Sequence, residues 1–146
     1  MSCGFFCSIT KKSGIMLEIK TSLNTSPING IGLFAEEDVQ KGKIIWSFNP
    51  LVDIVFHSDQ WDELQSNISK HSFDQIKKYA YKENNRRILC VDNAQFMNHS
   101  DTHYNVGNLK DGDIMIALTH IKKGEELLCN YFDYSDADDD HLKEIS

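Results

Sequence analysis

Phe96-Met97-Asn98-His99-Ser100 and Gly124-Glu125-Glu126-Leu127-Leu128-Cys129-Asn130-Tyr131 are the two stretches on which the reading of this 146-residue chain turns. The first sets an Asn-His pair after two apolar residues, and asparagine in such a place commonly closes a turn through local hydrogen bonds. The second runs from a polar turn through an apolar strand to a tyrosine. Glu125 and Glu126 are neighbours, and neighbours on a strand point to opposite faces, so they do not form one acid-base pair. Cys129 lies in the apolar part, where a thiol's pKa rises, and reads as a packed core thiol rather than a nucleophile.

Outward from these stretches, most of the chain reads as short strands separated by turns. Residues 15–20 alternate apolar and polar side chains, as a half-buried strand does. Asn29-Gly30 signals a turn into residues 31–35. Residues 43–48 and 51–56 are rich in β-branched and aromatic side chains on either side of Asn49-Pro50. Asp111-Gly112 between residues 104–109 and 114–119 has the composition of a tight hairpin. Lys123-Gly124 leads into a last strand at 126–130. The middle differs: residues 58–84 contain no glycine or proline. There Trp61, Leu64 and Ile68 recur at helical spacing, and Phe73, Ile76, Lys77 and Ala80 continue it after Ser72 as a cap. The expected fold class is mostly β, with two short helices inserted at about 58–84.

Composition sets outer limits. The chain is 40% hydrophobic and 25% charged, an ordinary globular balance. No apolar run reaches the roughly 18 residues of a membrane span, and the apolar start breaks into Thr10-Lys11-Lys12-Ser13, unlike a secretory signal. Cys3, Cys7, Cys90 and Cys129 are scattered without a Cys-x-x-Cys pair, which fits a reduced, intracellular protein, cytoplasmic or nuclear. The net charge is −7, of which −5 comes from Asp133 onward: six acidic residues against Lys143. Such a run reads as a solvated tail or as an attractor for a basic partner. With no basic stripe to offset it, nucleic-acid binding is not expected.

Taken with Gly30-Ile31-Gly32-Leu33-Phe34-Ala35, the two opening stretches resemble the signature segments of the SET-domain protein lysine methyltransferases. Those segments are a Gly-x-Gly-hydrophobic-Phe-Ala start, an Asn-His-Ser segment and a Gly-Glu-Glu-Leu-x-x-Asp-Tyr close. The resemblance spans residues 15–134, leaving residues 1–14 as an N-terminal extension and 135–146 as an acidic tail. It implies small curved β-sheets with a variable helical insert and a C-terminal pseudoknot, in which the last segment threads beneath an earlier loop. It implies methyl transfer from S-adenosylmethionine to a protein lysine, leaving S-adenosylhomocysteine, on a basic or histone-like substrate. A non-catalytic SET-like module that binds a peptide or the cofactor is the alternative. A metal-dependent hydrolase built on the scattered histidines is a third and remoter one.

Residue by residue, the resemblance assigns the catalytic role to Tyr131, whose hydroxyl would face the methyl-transfer centre. Gly30, Ile31, Gly32, Asn98, His99, Tyr131 and Phe132 would bind the cofactor, with His99 near the adenine, and Cys129 and Tyr134 would border the substrate channel. No metal is expected, since His99, Asp101 and His103 read as loop, where an i, i+4 spacing shares no face. The chain departs from the pattern at three places. Asp101 stands where many relatives carry a zinc-binding cysteine, and no cysteine follows Cys129, so closure of the pocket is expected to pass to Phe132, Tyr134 and the tail. Asn130 replaces the common aspartate. Cys129 replaces the phenylalanine or tyrosine that influences how many methyl groups are accepted. Oligomeric state, target lysine and product number are not specified by these residues.

Overall fold

Residues 16–109 and 113–145 are described by the computed structural model. Strands β1 (Thr21–Thr25) and β2 (Ile31–Ala35) form an antiparallel hairpin in the register Thr21↔Ala35 to Thr25↔Ile31. Its turn is organised by Ser26, whose hydroxyl accepts the N–H groups of Ile28 and Asn29, and by Gly30 at φ +50°. Leu33 and Ala35 of β2 are fully buried. The strand expected at 15–20 is corrected: Ile15 lies outside the described residues, and the first assigned strand starts at Thr21. Met16 and Glu18 instead run along β3 (Ile44–Ser47), exchanging two hydrogen bonds with Ser47 and giving one to Ile45.

After β3, the Asn49 side chain accepts the N–H of Leu51, making the Asn49-Pro50 turn that leads to β4 (Ile54–Phe56). The helical insert follows as α1 (Ser58–Asn67) and α2 (Lys70–Tyr79). Ser69, not Ser72, caps α2: the Ser69 hydroxyl accepts the N–H of Ser72 at 3.2 Å. Trp61 and Phe73 pack with Phe56 in an aromatic cluster, ring centroids 5.1–5.5 Å apart. The helices stop at Tyr79, short of the expected 84. Ala80 is buried as the first residue of β5 (Ala80–Glu83), which pairs antiparallel with β6 (Arg86–Leu89). The two-residue link, Asn84-Asn85 at φ +49° and +58°, has the positive dihedrals of a tight hairpin turn that matches strand twist. A three-stranded sheet results, in the order β4-β6-β5.

The larger sheet has five strands in the order β3-β9-β8-β10-β7. β8 (Val106–Leu109) and β9 (Ile114–Ala117) pair antiparallel as expected, while the Asp111-Gly112 turn lies outside the described residues. β7 is the Asn-His pair itself (Asn98–His99), and β10 is Leu128–Cys129. β10 lies parallel to both β7 and β8, inserted between them, with Leu128 opposite Asn98 and Cys129 opposite His99 and Val106. The connection at residues 100–105 must therefore cross over β10, which thus threads beneath it. Ser100 N–H donates to Cys129 O, Asn105 N–H donates to Leu128 O, and the Asn105 side chain bonds both Glu126 O and Leu128 N. Such threading is rare because connections normally avoid passing through loops. Here it brings residues 28 to 34 positions apart into contact.

Candidate active site

β10 is followed by Asn130, whose side-chain oxygen accepts the N–H of Phe132 and starts a 3₁₀ turn, Tyr131–Asp133. The turn directs the Tyr131 side chain back under β7. Its hydroxyl donates to Met97 O at 2.8 Å, and its backbone N–H donates to His99 Nδ1 at 3.1 Å. Burial pushes the Tyr131 phenol far above its usual range, so it remains a proton donor at any working pH. His99 Nδ1 must hold a lone pair to accept that N–H, which puts the ring proton on Nε2. Burial lowers the His99 pKa, against the opposing pull of Asp101 and Asp133, and so favours this neutral form. The Phe132 ring lies against His99 at 5.5 Å and is half exposed.

Asn98 does a different job. Its amide N–H₂ reaches Asn29 O at 3.0 Å, Ile31 O at 3.3 Å and Glu126 Oε1 at 2.9 Å. The other Glu126 oxygen accepts from Ser26 Oγ at 3.0 Å. Glu126 and Asn98 thus tie the β1–β2 turn to the threaded strands. Gly32 is part of the same arrangement: a Cβ built there would sit 2.2 Å from Glu126 Oε1. It is required for the space beside Glu126 rather than for an unusual dihedral.

Tyr131 stands where two cavities meet. One, the larger, is bordered by Gly30, Ile31, Asn98, Phe96 and Glu144. The other is bordered by Trp46, Tyr81, Cys90, Met97, Cys129 and Tyr134. Tyr131, Lys78, Tyr79, Gln95 and His141 border both. The first is mixed in polarity, with Lys78, Gln95, Asn98, His141 and Glu144 beside Ile31, Tyr79 and Phe96. The second is aromatic, thioether and thiol in character. Burial pushes the Cys129 thiol up to about 12, and its sulfur lies 3.6 Å from the Tyr134 hydroxyl. Burial raises the Cys90, Tyr81 and Tyr134 groups as well. At neutral pH these buried hydroxyls and thiols stay neutral and offer a buried cation no opposite charge.

The acidic C-terminal segment is docked on the hairpin of β5 and β6. Both Asp136 carboxylate oxygens accept turn N–H groups, from Asn84 and Asn85 at 2.9 and 2.8 Å. Asp139, fully buried, accepts the N–H of Lys82 at 2.7 Å and faces the Arg87 guanidinium at 3.4 Å. Asp138 pairs with Lys82, and Asp140 lies 3.1 Å from Lys77 and 3.5 Å from Arg87. The segment ends in α3 (Asp140–Ile145), which carries His141 and Glu144 to the cavity walls. Asp138, Asp139 and Asp140 are therefore engaged with Lys77, Lys82 and Arg87, and Asp136 with the turn backbone, rather than forming a free acidic face.

Of the residues expected at a cofactor site, Gly30, Ile31, Asn98 and Tyr131 border the larger cavity. Gly32, His99 and Phe132 lie behind or beside that wall. Cys129 and Tyr134 border the second cavity together. Sequence reading weighed Glu126 only as half of an acid-base pair and set it aside, and it passed over Lys78, His141 and Glu144 as site residues. For Glu126 a signal existed: it alternates with Leu127, which is fully buried, so it faces the other side of the strand. Among the described residues, no three His, Cys, Asp or Glu side chains converge as a metal site, and no helix is long and apolar enough to cross a membrane.

The SET-domain family profile matches residues 30–132. The chain belongs to the SET-domain family. Solved structures share the fold. A Plasmodium falciparum protein described as a candidate histone methyltransferase has 22% identity and a TM-score of 0.52, over 79% of this chain and 95% of that one. Chaetomium thermophilum Polycomb Repressive Complex 2, bound to S-adenosylmethionine, gives 21% and 0.59, over 87% of this chain and 17% of that one. Neurospora DIM-5, a histone lysine methyltransferase, gives 13% and 0.54, over 80% and 53%. No curated protein sequence matches the chain significantly.

Proposed function

We propose that this protein transfers a methyl group from S-adenosylmethionine to the side-chain amine of a protein lysine. The observation that carries the reading is the position of Tyr131, in the wall shared by a mixed-polarity cavity and an aromatic one. Two ligands entering from the two sides would meet beside its hydroxyl. The residues of the larger cavity suit a zwitterionic, nucleoside-bearing cofactor. Lys78 and Glu144 offer opposite charges, and Gly30 and Ile31 present backbone. Asn98 holds that backbone in place through Asn29 O and Ile31 O. When bound, the cofactor would supply an activated sulfonium methyl group.

The chain's own contribution is positioning and electrostatics. A lysine amine ordinarily titrates at about 10.4 and is therefore mostly protonated at neutral pH. The aromatic cavity would disfavour that cation and hold the chain of the lysine in line. Tyr131, fixed by Met97 O and His99, would present a preorganised phenol at the junction. The proposed substrate is a histone or similarly basic protein, supported by the histone methyltransferases among the structural neighbours. The tail lends that choice less support than its sequence implied, because its carboxylates have internal partners. Free Cys90 and Cys129 suit a reducing compartment, so an intracellular location belongs to the same proposal.

The test is incubation with radiolabelled S-adenosylmethionine and core histones, followed by mass spectrometry of modified lysines. Label on lysine with wild type and not with Tyr131→Phe is the expected result. Cofactor binding by calorimetry without any transfer would replace this reading with the non-catalytic module.

A further inference from the structure

His141 is the one imidazole among the described residues that borders both cavities. It lies near the start of α3, with its ring centroid 6.2 Å from that of Tyr131. Its Nε2 is 2.9 Å from Lys77 O. A carbonyl only accepts, so Nε2 carries a proton. The remaining nitrogen, Nδ1, is then free to hold a lone pair, and no described residue bonds it.

The surroundings hold the ring in place. The His141 N–H is capped by Asp139 Oδ1 at 3.2 Å, and Asp139 is fully buried against Arg87 of β6. Lys77 of α2 turns its ammonium to Asp140, as does Lys143 of α3 itself. Lys78 of α2 and Glu144 of α3 border the larger cavity, and Tyr131 faces the ring from the 3₁₀ turn. Five other groups of the aromatic cavity, Cys90, Cys129, Tyr81, Tyr131 and Tyr134, stay protonated because burial raises them, while Lys78 and Tyr79 complete its titratable lining. Imidazole is the side-chain type that accepts and releases protons near neutrality.

We propose that His141 Nδ1 accepts the proton of the substrate lysine ammonium at the junction of the two cavities. This rests on the methyl-transfer reading and adds a residue to it. The lysine N–H bond breaks and an Nδ1–H bond forms, leaving a neutral amine and an imidazolium. The freed lone pair would then be available to bond the methyl carbon that the bound cofactor would supply, with the methyl–sulfur electrons returning to sulfur. The half-buried imidazolium gives its proton to solvent between turnovers.

Single-turnover transfer to core histones, followed from about pH 6 to 10, tests this with His141→Gln, since lysine itself loses its proton at about 10.4. The glutamine amide can still donate to Lys77 O but cannot accept a proton. The expected loss at neutral pH is about 100-fold, the low end of general-base contributions. The deficit should shrink about tenfold per pH unit as the lysine deprotonates unaided. His141→Ala should fall similarly and recover with added imidazole. In the cofactor-free protein, imidazole nitrogen NMR should show Nδ1 of His141 shifting with a lysine peptide and not with its norleucine analogue. Wild-type transfer with an unchanged rate and pH profile in His141→Gln overturns this inference alone. Absence of transfer by wild type overturns the methyl-transfer reading and this one together.

Discussion

Asn98 Nδ2 lies 2.9 Å from Glu126 Oε1, and that contact joins the β1–β2 turn to the threaded strands across 28 positions of sequence. Gly32 makes it possible, because any Cβ there would occupy the place of the carboxylate. Gly32→Ala should therefore keep the fold while displacing Glu126 from both Asn98 and Ser26. Two displaced charge-assisted bonds set the cost, partly recovered through water, at about 1–3 kcal/mol. The sharper effect falls on the wall of the larger cavity, since Asn98 also holds Asn29 O and Ile31 O. S-adenosylmethionine affinity by calorimetry should drop at least about tenfold, the equivalent of one such bond. Unchanged affinity would show that the Asn98 network does not shape that wall.

Tyr131→Phe removes one hydroxyl and its bond to Met97 O. A single neutral hydrogen bond contributes about 1 kcal/mol, so the variant should melt only slightly below wild type. Methyl transfer should fall by about 100-fold or more, the scale for removing one preorganised donor. A thermal melt and a transfer assay on the same sample separate the two effects. Full activity in the folded variant would remove Tyr131 from the chemistry.

The strands marked by turn signals and by β-branched or aromatic content were legible before the structure, and so was the existence of two helices between them, whereas the alternating segment 15–20 misled. The hairpin of β5 and β6 was not. The helical spacing of Phe73, Ile76 and Ala80 runs straight into β5, and the turn uses Asn84-Asn85 where glycine usually marks positive φ. The Asn-His pair and Tyr131 could be picked out as site residues only through the family resemblance. Strands of two residues, β7 and β10, have no periodicity to read, and their pairing depends on threading across some 30 positions. The tail was misleading for a related reason. A charge run reads as solvated, while its partners Lys82 and Arg87 lie more than 50 positions earlier.

His99 predicts a pH dependence of stability. Burial lowers its pKa below the unfolded value, and Asp101 and Asp133 only partly oppose this. The unfolded chain therefore binds the proton more readily. Stability from the neutral ring is fully present above the ordinary value of about 6.5 and is lost as pH falls below it. His99→Asn offers an oxygen to the Tyr131 N–H without a titrating group. Thermal melts across this range should show a smaller loss on acidification in the variant than in wild type. Parallel profiles would assign the acid loss to other groups.

Asp139 joins the tail to the cavity walls and makes the most demanding prediction. Its carboxylate is fully buried, accepts the N–H groups of Lys82 and His141, and neutralises Arg87, whose side chain is 15% exposed. Asp139→Ala would leave that guanidinium facing Asp140 alone at 3.5 Å. Removing one partner of a buried ion pair costs about 3–5 kcal/mol, and the partial cover of Asp140 places this case near the lower end. Chemical denaturation measures that loss. Because α3 is released with it, S-adenosylmethionine affinity should fall as well, and deletion of the chain after Asp133 should reproduce that fall. A truncated protein that binds and transfers as well as the full chain would show that α3 closes neither cavity. Weakened binding with an intact core would instead assign to Asp136, Asp139 and Asp140 the closing role that zinc-binding cysteines, by the family resemblance, have in many relatives.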